Sequence, residues 1–166
     1  LKKIAKAGLS RIHVGLESGD DVILKYVNKG STKDIQIKAG KLVKRAGIEL
    51  SEYIVLGLGG KKRTKQHIEE TADALNKINP DFIRIRTFLP KINTPILEEI
   101  NTGDFQILSP HEVLQESYRL IQKLKVTSKI YSDHYTNYIS VNGKLPEDKD
   151  AMLQTIETSL KLDENS

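Results

Sequence analysis

Glu17 and Ser18 close the stretch Arg11-Ile-His-Val-Gly-Leu-Glu-Ser-Gly19, where strand-like residues run into a glycine-bounded turn and a helical pattern opens at Asp20-Asp21. A carboxylate and a hydroxyl thus stand where a strand ends and a helix begins, which is where parallel α/β proteins bind ligands. Glu17 there either accepts hydrogen bonds from a ribose diol or an amine, or is a helix-start carboxylate favoured by the dipole. Gly57-Leu-Gly-Gly60 either lets a flat ligand approach the backbone or is a plain tight turn. It is not a phosphate loop, because Val55 and Lys62 occupy the positions that need glycine and a hydroxyl residue. The third glycine of a dinucleotide fingerprint is also missing. Arg84 and Arg86 alternate onto one side of a strand, placed either to hold an anionic group or to pair with an acid on a neighbouring strand. Asp133-His134 joins an acid to an imidazole, although adjacent residues usually point apart. His13, His67 and His111 read as lone structural or surface histidines, and no His, Asp and Glu residues show metal-ligand spacing.

The elements that must position these residues alternate. The end of a helix over Leu1–Gly8 leads to a strand at Arg11–Gly15, then a short helix over Asp20–Val27 with Val22, Ile23, Tyr26 and Val27 inward. Ser31 or Thr32 caps a helix over Lys33–Ala46, whose stripe Ile35, Ala39, Leu42, Val43 and Ala46 faces the core. A strand over Ile48–Leu56 precedes the glycine run and the basic turn Lys61-Lys62-Arg63. Thr64 then caps a helix over Lys65–Ile78 that turns Ile68, Ala72, Leu75 and Ile78 inward. A third strand covers Asp81–Phe88, and Ile96–Ile100 makes a helical turn. Ser109-Pro110 with Glu112 forms a capping box for a helix reaching Lys125. Ile130-Tyr131 is a short strand, a helix from Pro146 carries Met152, Leu153, Ile156 and Leu160, and the tail Leu162–Ser166 frays. Strands separated by helices imply right-handed crossovers and a parallel sheet. Three such strands alone leave both sheet edges unpaired. Together with the helix remnant at Leu1, this suggests a piece of a longer protein with more strands upstream.

The bulk numbers fit a soluble α/β domain. The 166 residues carry 38% hydrophobic and 29% charged residues and a net charge of +4. Lysines and arginines are dispersed among acids, as on solvated helix faces. No apolar run reaches the ~20 residues needed to span a bilayer, so no membrane partner and a cytoplasmic location are expected. Zero cysteines exclude disulfides and thiolate metal sites within this chain.

The order of motifs resembles the radical S-adenosylmethionine (SAM) superfamily. Val14-Gly-Leu-Glu-Ser-Gly-Asp-Asp21, followed by Leu24-Lys25 and Asn28-Lys-Gly30, is similar to the family's fourth strand and the helix after it. Ala46-Gly-Ile48 with Leu56-Gly-Leu-Gly-Gly60 resembles the fifth, and Arg84-x-Arg86-Thr87-x-Leu89-Pro90 with Thr94-Pro95 the sixth. Ser132-Asp-His134, Asn137-Tyr138 and Gly143-x-Leu-Pro146 with Asp148-Lys149 resemble the C-terminal extension of a subgroup labelled Fe–S oxidoreductases.

That resemblance implies a TIM-like partial (β/α)6 barrel, with residues 1–108 forming its C-terminal half and 109–166 a helical extension. It implies SAM bound to a [4Fe–4S] cluster, reductive cleavage to a 5′-deoxyadenosyl radical, an electron donor, and a small-molecule or macromolecular substrate. Glu17 and Ser18 then map to the ribose contact, Gly57 and Leu58 to the adenine contact, and Leu89 to the rim of the adenine pocket. Arg84, Arg86, Asp133 and His134 map to the substrate side. The family's cluster cysteines are absent from this chain. It therefore supplies no cluster ligands, and the expectation is a fragment inert without the other half of its barrel. The alternative is a non-enzymatic α/β module that binds nucleic acid or a partner through Lys61–Arg63, Arg84 and Arg86.

Overall fold

The computed structural model describes residues 1–164. Its elements run α1 (Lys2–Lys6), β1 (Arg11–Glu17), α2 (Asp21–Tyr26), α3 (Lys33–Arg45), β2 (Glu49–Leu56), α4 (Gly60–Ile78) and β3 (Phe82–Thr87). They continue with α5 (Ile96–Thr102), α6 (Pro110–Lys123), β4 (Lys129–Tyr131), β5 (Gly143–Lys144) and α7 (Lys149–Ser159). One sheet has the order β1-β2-β3-β4-β5, parallel through β4 and antiparallel at β5. The α/β class is as the sequence implies. The short strand expected at Ile130-Tyr131 forms as β4 and, with β5, covers the outer edge of β3, while among the described residues no strand lies beside the other edge of β1.

Alternation sorts the strands into two faces. Leu50, Ile54 and Leu56 of β2 and Ile83 and Ile85 of β3 are buried in the core under α3, α4 and α6. The alternate residues Tyr53, Val55, Phe82, Arg84 and Arg86 are only half-buried. Each fully buried Leu or Ile contributes roughly 2 kcal/mol, so the helix-covered face holds the sheet together and the other is free for ligands.

The caps at Thr32 and Ser109 form as the sequence predicts. Thr32 accepts from the Ile35 N–H, and Ser109 with Glu112 makes both bonds of a capping box. Three helices differ. In α2, Ile23 and Leu24 are buried, whereas Val22 and Tyr26 are exposed. In α3, Gln36, Ile37, Gly40 and Val43 face inward, whereas Ile35 and Leu42 are exposed. Gly40 explains the rotation: a Cβ there would stand 2.8 Å from Ile78 Cγ2 and 3.2 Å from Leu50 Cδ2, so only glycine lets α3 seat this close to α4. The third helix, α4, begins at Gly60, five residues before Lys65. The basic turn is thus its first helical turn, and Thr64 is not its cap.

In α6 and α7, Leu120, Ile121, Met152 and Ile156 are buried as their spacing predicts. Glu164 accepts from the His111 N–H at 2.8 Å, so the tail is held that far. The part of the predicted fray at Asn165 and Ser166 lies outside the described residues. No helix among the described residues is long and apolar enough to cross a membrane.

Candidate functional site

The C-terminal ends of β1, β2, β3 and β4 lie along one rim of the parallel sheet, and the residues singled out from sequence stand on it or just below it. The first corner is strained. β1 has a bulge between Gly15 and Glu17, and Glu17 sits in left-handed backbone at φ 59. That conformation costs a non-glycine residue roughly 1 kcal/mol. It turns the Glu17 carboxylate back over the strand, where a Cβ on Gly15 would meet Glu17 Oε1 at 2.1 Å. Lys29 Nζ pairs with the same oxygen at 3.2 Å. Gly15 is in register with Tyr53, Tyr53 with Arg84, and Arg84 with Tyr131. The carboxylate therefore heads a row of polar and aromatic groups across the open face.

Ser18 has a different position from Glu17. It is fully buried, and its hydroxyl is 2.8 Å from His67 Nδ1 while accepting from the Asp20 N–H at 3.0 Å. His67 Nε2 donates to the Val55 carbonyl at 3.0 Å. A carbonyl can only accept, so the proton is on Nε2 and Nδ1 accepts from the Ser18 hydroxyl. Burial pushes the imidazole down to about 4, which keeps it neutral near pH 7. Thr71 accepts from the Gly19 N–H at 2.9 Å, and Arg63 Nη2 pairs with buried Asp20 at 2.7 Å. One helix, α4, thus fixes the whole turn after β1. A ligand at this corner meets the Glu17 side chain and the turn's backbone, since the Ser18 hydroxyl is spent internally.

The second corner is fixed from another helix. Gly57 is left-handed at φ 78, and its N–H donates to Glu116 Oε2 at 2.7 Å. Thr64 donates to Glu116 Oε1 at 2.5 Å. Burial raises the Glu116 carboxyl, and the two donors offset part of that, leaving it at about 7. Leu58 is nearly buried and shares a depression with Tyr26, Phe88, Pro95 and Ile96. Tyr26 donates to Glu99 at 2.7 Å; burial first and then the Glu99 carboxylate push its phenol up to about 12. Leu89 is exposed on the rim beyond β3.

Asp133 and His134 follow β4, in a loop docked on the end of β3. Asn137 donates to the Ile85 carbonyl at 2.9 Å and accepts from Thr87 Oγ1 at 3.0 Å. His134 Nδ1 bonds Thr136 Oγ1 at 2.8 Å, and its ring lies 4.3 Å from that of Tyr135. Asp133 is exposed. Arg84 and Arg86 do share one face: their guanidiniums lie over the Tyr131 and Tyr53 rings at 5.2 and 5.1 Å. The salt bridge to a neighbouring strand is not the arrangement found. The three cations of the glycine turn are each engaged elsewhere, Lys61 with Glu112, Lys62 with the Asp104 carbonyl and Arg63 with Asp20.

Glu52 is a buried acid that sequence reading passed over, although an acid inside an apolar strand run is itself a signal. It stands in register with Val14 and Ile83, and its Oε2 has no partner. Burial is the main cause that raises it to about 8, with Lys29 lowering and Glu17 raising it further. His67, expected to be a lone structural or surface histidine, is structural but not lone, since it bonds both Ser18 and the Val55 carbonyl. Glu116 gave no signal, because its partner Gly57 is 59 residues away.

A [4Fe–4S] cluster does not fit the donor set, since the sequence has no cysteine and no group of His, Asp and Glu able to hold a metal ion occurs among the described residues. On the rim, Glu17 offers carboxylate acceptors above Gly15, and Leu58 lines an apolar wall with Tyr26, Phe88, Pro95 and Ile96.

Residues 1–75 match the model of the radical SAM superfamily, which bears out the resemblance read from the motifs. The chain is 24% identical over 141 residues to the tRNA uridine(34) acetyltransferase of Methanocaldococcus jannaschii, covering 80% of this chain and 25% of that protein. It is 26% identical over 141 residues to the Methanocaldococcus infernus protein of the same name, covering 80% and 26%. The chain thus spans about a quarter of the length of the curated relatives it matches. The solved structure of M. infernus Elp3 with an N-terminal deletion superposes with a TM-score of 0.66 at 21% identity, covering 95% of this chain and 38% of that one. That likeness shows a shared fold. The relatives are named as acetyltransferases, not oxidoreductases.

Proposed function

We propose that this chain, related to the radical SAM superfamily through its first 75 residues, supplies strands four to six of a six-strand barrel and the nucleoside-binding rim of a SAM-dependent enzyme. Residues 1–108 form the barrel half, and 109–166 are an extension that adds β4, β5 and two helices. The observation that carries the reading is the left-handed Glu17, whose carboxylate is folded over Gly15 onto the open face within the family-matched segment. Strained backbone at a strand end is a mark of a working site. Glu17 accepts from the ribose hydroxyls, the Gly57-Leu58 backbone lies against the adenine, and Leu89 closes the outer side. Ser18 serves by fixing the turn through His67.

The cluster ligands come from outside these residues, so no step of the reaction is carried by this chain alone. Bound beside SAM, the cluster would supply the electron for reductive cleavage. What this chain contributes is binding, orientation and exclusion of water. Arg84, Arg86, Asp133 and His134 line the substrate side. The names of the relatives favour a nucleic-acid substrate, a tRNA nucleoside being the type; oxidoreductase chemistry is the alternative reaction on the same barrel.

The test is titration of the 15N-labelled chain with S-adenosylhomocysteine. Shifts at Gly15–Gly19 and Gly57–Leu58, weakened about tenfold by Glu17→Gln for loss of a charge-assisted bond, are expected. Unmoved resonances at both corners would overturn the placement. Anaerobic reconstitution sharpens it further: stoichiometric [4Fe–4S] uptake by this chain contradicts the assignment of ligands elsewhere.

A further inference from the structure

Arg84 and Arg86 are unusual among the half-buried cations of this chain in what they lack. Neither guanidinium donates a hydrogen bond or joins an ion pair among the described residues; each has only a tyrosine ring beneath it. Arg84 Nε is buried with no partner. So is Ser51 Oγ, one row lower on the same face, where Ser51 pairs with Phe82. Two acids on this face are already committed, and Asp133, two residues past Tyr131, is exposed and pairs with neither arginine. Glu49 holds Arg11 at 2.7 Å, and Glu17 holds Lys29 at 3.2 Å. Half-buried guanidinium groups without acceptors are costly to maintain, and here they stand on a strand at the centre of the sheet.

We propose that Arg84 and Arg86 form a binding site for a phosphate group. They project from one face of β3 two residues apart, so their Cα atoms are separated by about 6.6 Å. The cation–π contacts with Tyr131 and Tyr53 hold both guanidiniums near their rings, which reduces what must be ordered on binding. Two guanidinium forks together need acceptor sites in several directions. The two oxygens of a carboxylate satisfy one fork, whereas the oxygens of a phosphate group can serve both. The site deepens the proposed function by naming the chemistry of its substrate side, and it rests on that reading only in taking the open face as the inside of the pocket. The phosphate can be the terminal group of a mononucleotide or the diester of an RNA strand.

The experiment uses the whole 166-residue chain, 15N-labelled, with the arginine Nε–H resonances as the readout. Uridine 5′-monophosphate and the dinucleotide UpU are titrated at fixed ionic strength, with acetate as the control anion. Both the Arg84 and Arg86 signals are expected to shift with a phosphate probe and to ignore acetate. Arg84→Gln and Arg86→Gln each weaken binding by about tenfold, and Arg84→Lys, which keeps charge but loses the fork, stays weaker than the parent. A preference for the monophosphate identifies a terminal phosphate, and equal or tighter UpU binding identifies a diester.

Unmoved Nε–H signals, an equal response to acetate, or unchanged binding by the Arg84→Gln/Arg86→Gln chain would each overturn the proposal. Both arginines are half-exposed, so amide spectra of the variants report an intact fold; Arg86→Gln repeats the test independently of Arg84. S-adenosylhomocysteine carries no phosphate. Its effect at Gly57 and Leu58 is scored separately, so failure of the nucleoside rim and failure of the phosphate site give different spectra.

Discussion

The turns after β1 and β2 do the same job with opposite chemistry. The β1 turn is held by a neutral imidazole, His67, which accepts from Ser18 and donates to Val55. The β2 turn is held by an acid, Glu116, whose oxygens accept from Gly57 and Thr64. Both groups are buried, and burial favours the neutral form of each. For histidine that form already has one donor and one acceptor, which matches its two partners. For the acid it does not, because both partners are donors that suit a carboxylate. The first turn is therefore satisfied by a neutral group, and the second holds burial and hydrogen bonding in tension.

The difference predicts unequal damage. His67→Ala removes a buried ring and leaves the Ser18 hydroxyl without an acceptor and the Val55 carbonyl without a donor, a loss of about 3 kcal/mol in urea unfolding. Glu116→Ala frees two donors without deleting an aromatic ring and costs about 2 kcal/mol. Glu116→Gln, which still accepts from Gly57, costs about 1 kcal/mol. If Glu116→Ala proves the more damaging of the two alanine variants, the ranking of the corners is reversed. Gly57→Ala tests the backbone of the second corner alone. A Cβ there makes only ordinary contacts, the nearest at 3.7 Å, so the left-handed φ sets an expected loss of about 1 kcal/mol. A thermal midpoint equal to the parent's would show that the φ is not maintained in solution.

These long-range bonds explain what the sequence could not reveal. The strands, the caps at Thr32 and Ser109 and the glycine corners are local signals, set by alternation and by backbone conformations that few residues adopt. Ser18 with His67 and Gly57 with Glu116 join residues 49 and 59 apart, and nothing in either neighbourhood names its partner. The stripe of α3 misled for a similar reason. Ile35 and Leu42 have the right spacing for a core face, but the close approach at Gly40 turns Ile37 and Val43 inward instead. Arg84 and Arg86 were legible as a pair on one face because strand alternation is strict; that each would lie on a tyrosine from a neighbouring strand was not.

The smallest expected effect is the corners' own share of the pH dependence, because the two corners oppose each other. His67 has a folded pKa of about 4 against 6.5 when free, so its stabilisation is complete above pH 6.5 and is lost as pH falls toward 4. Glu116 has a folded pKa of about 7 against 4.5 when free, so its stabilisation is complete below pH 4.5 and is lost as pH rises toward 7. Between pH 4.5 and 6.5 one group gains what the other loses. Glu52, at about 8 against 4.5, adds a loss with rising pH that nothing balances. The parent chain should therefore become less stable from pH 5 to 8. Glu52→Gln should flatten the profile to within about 1 kcal/mol between pH 4.5 and 6.5, as equal and opposite linkage requires. Urea midpoints across that window, measured for the parent and for Glu52→Gln, decide it. A steep residual slope in the variant would mean that one corner titrates in the folded chain and the other does not; a rise with pH points to His67 as the group still linked, a fall to Glu116.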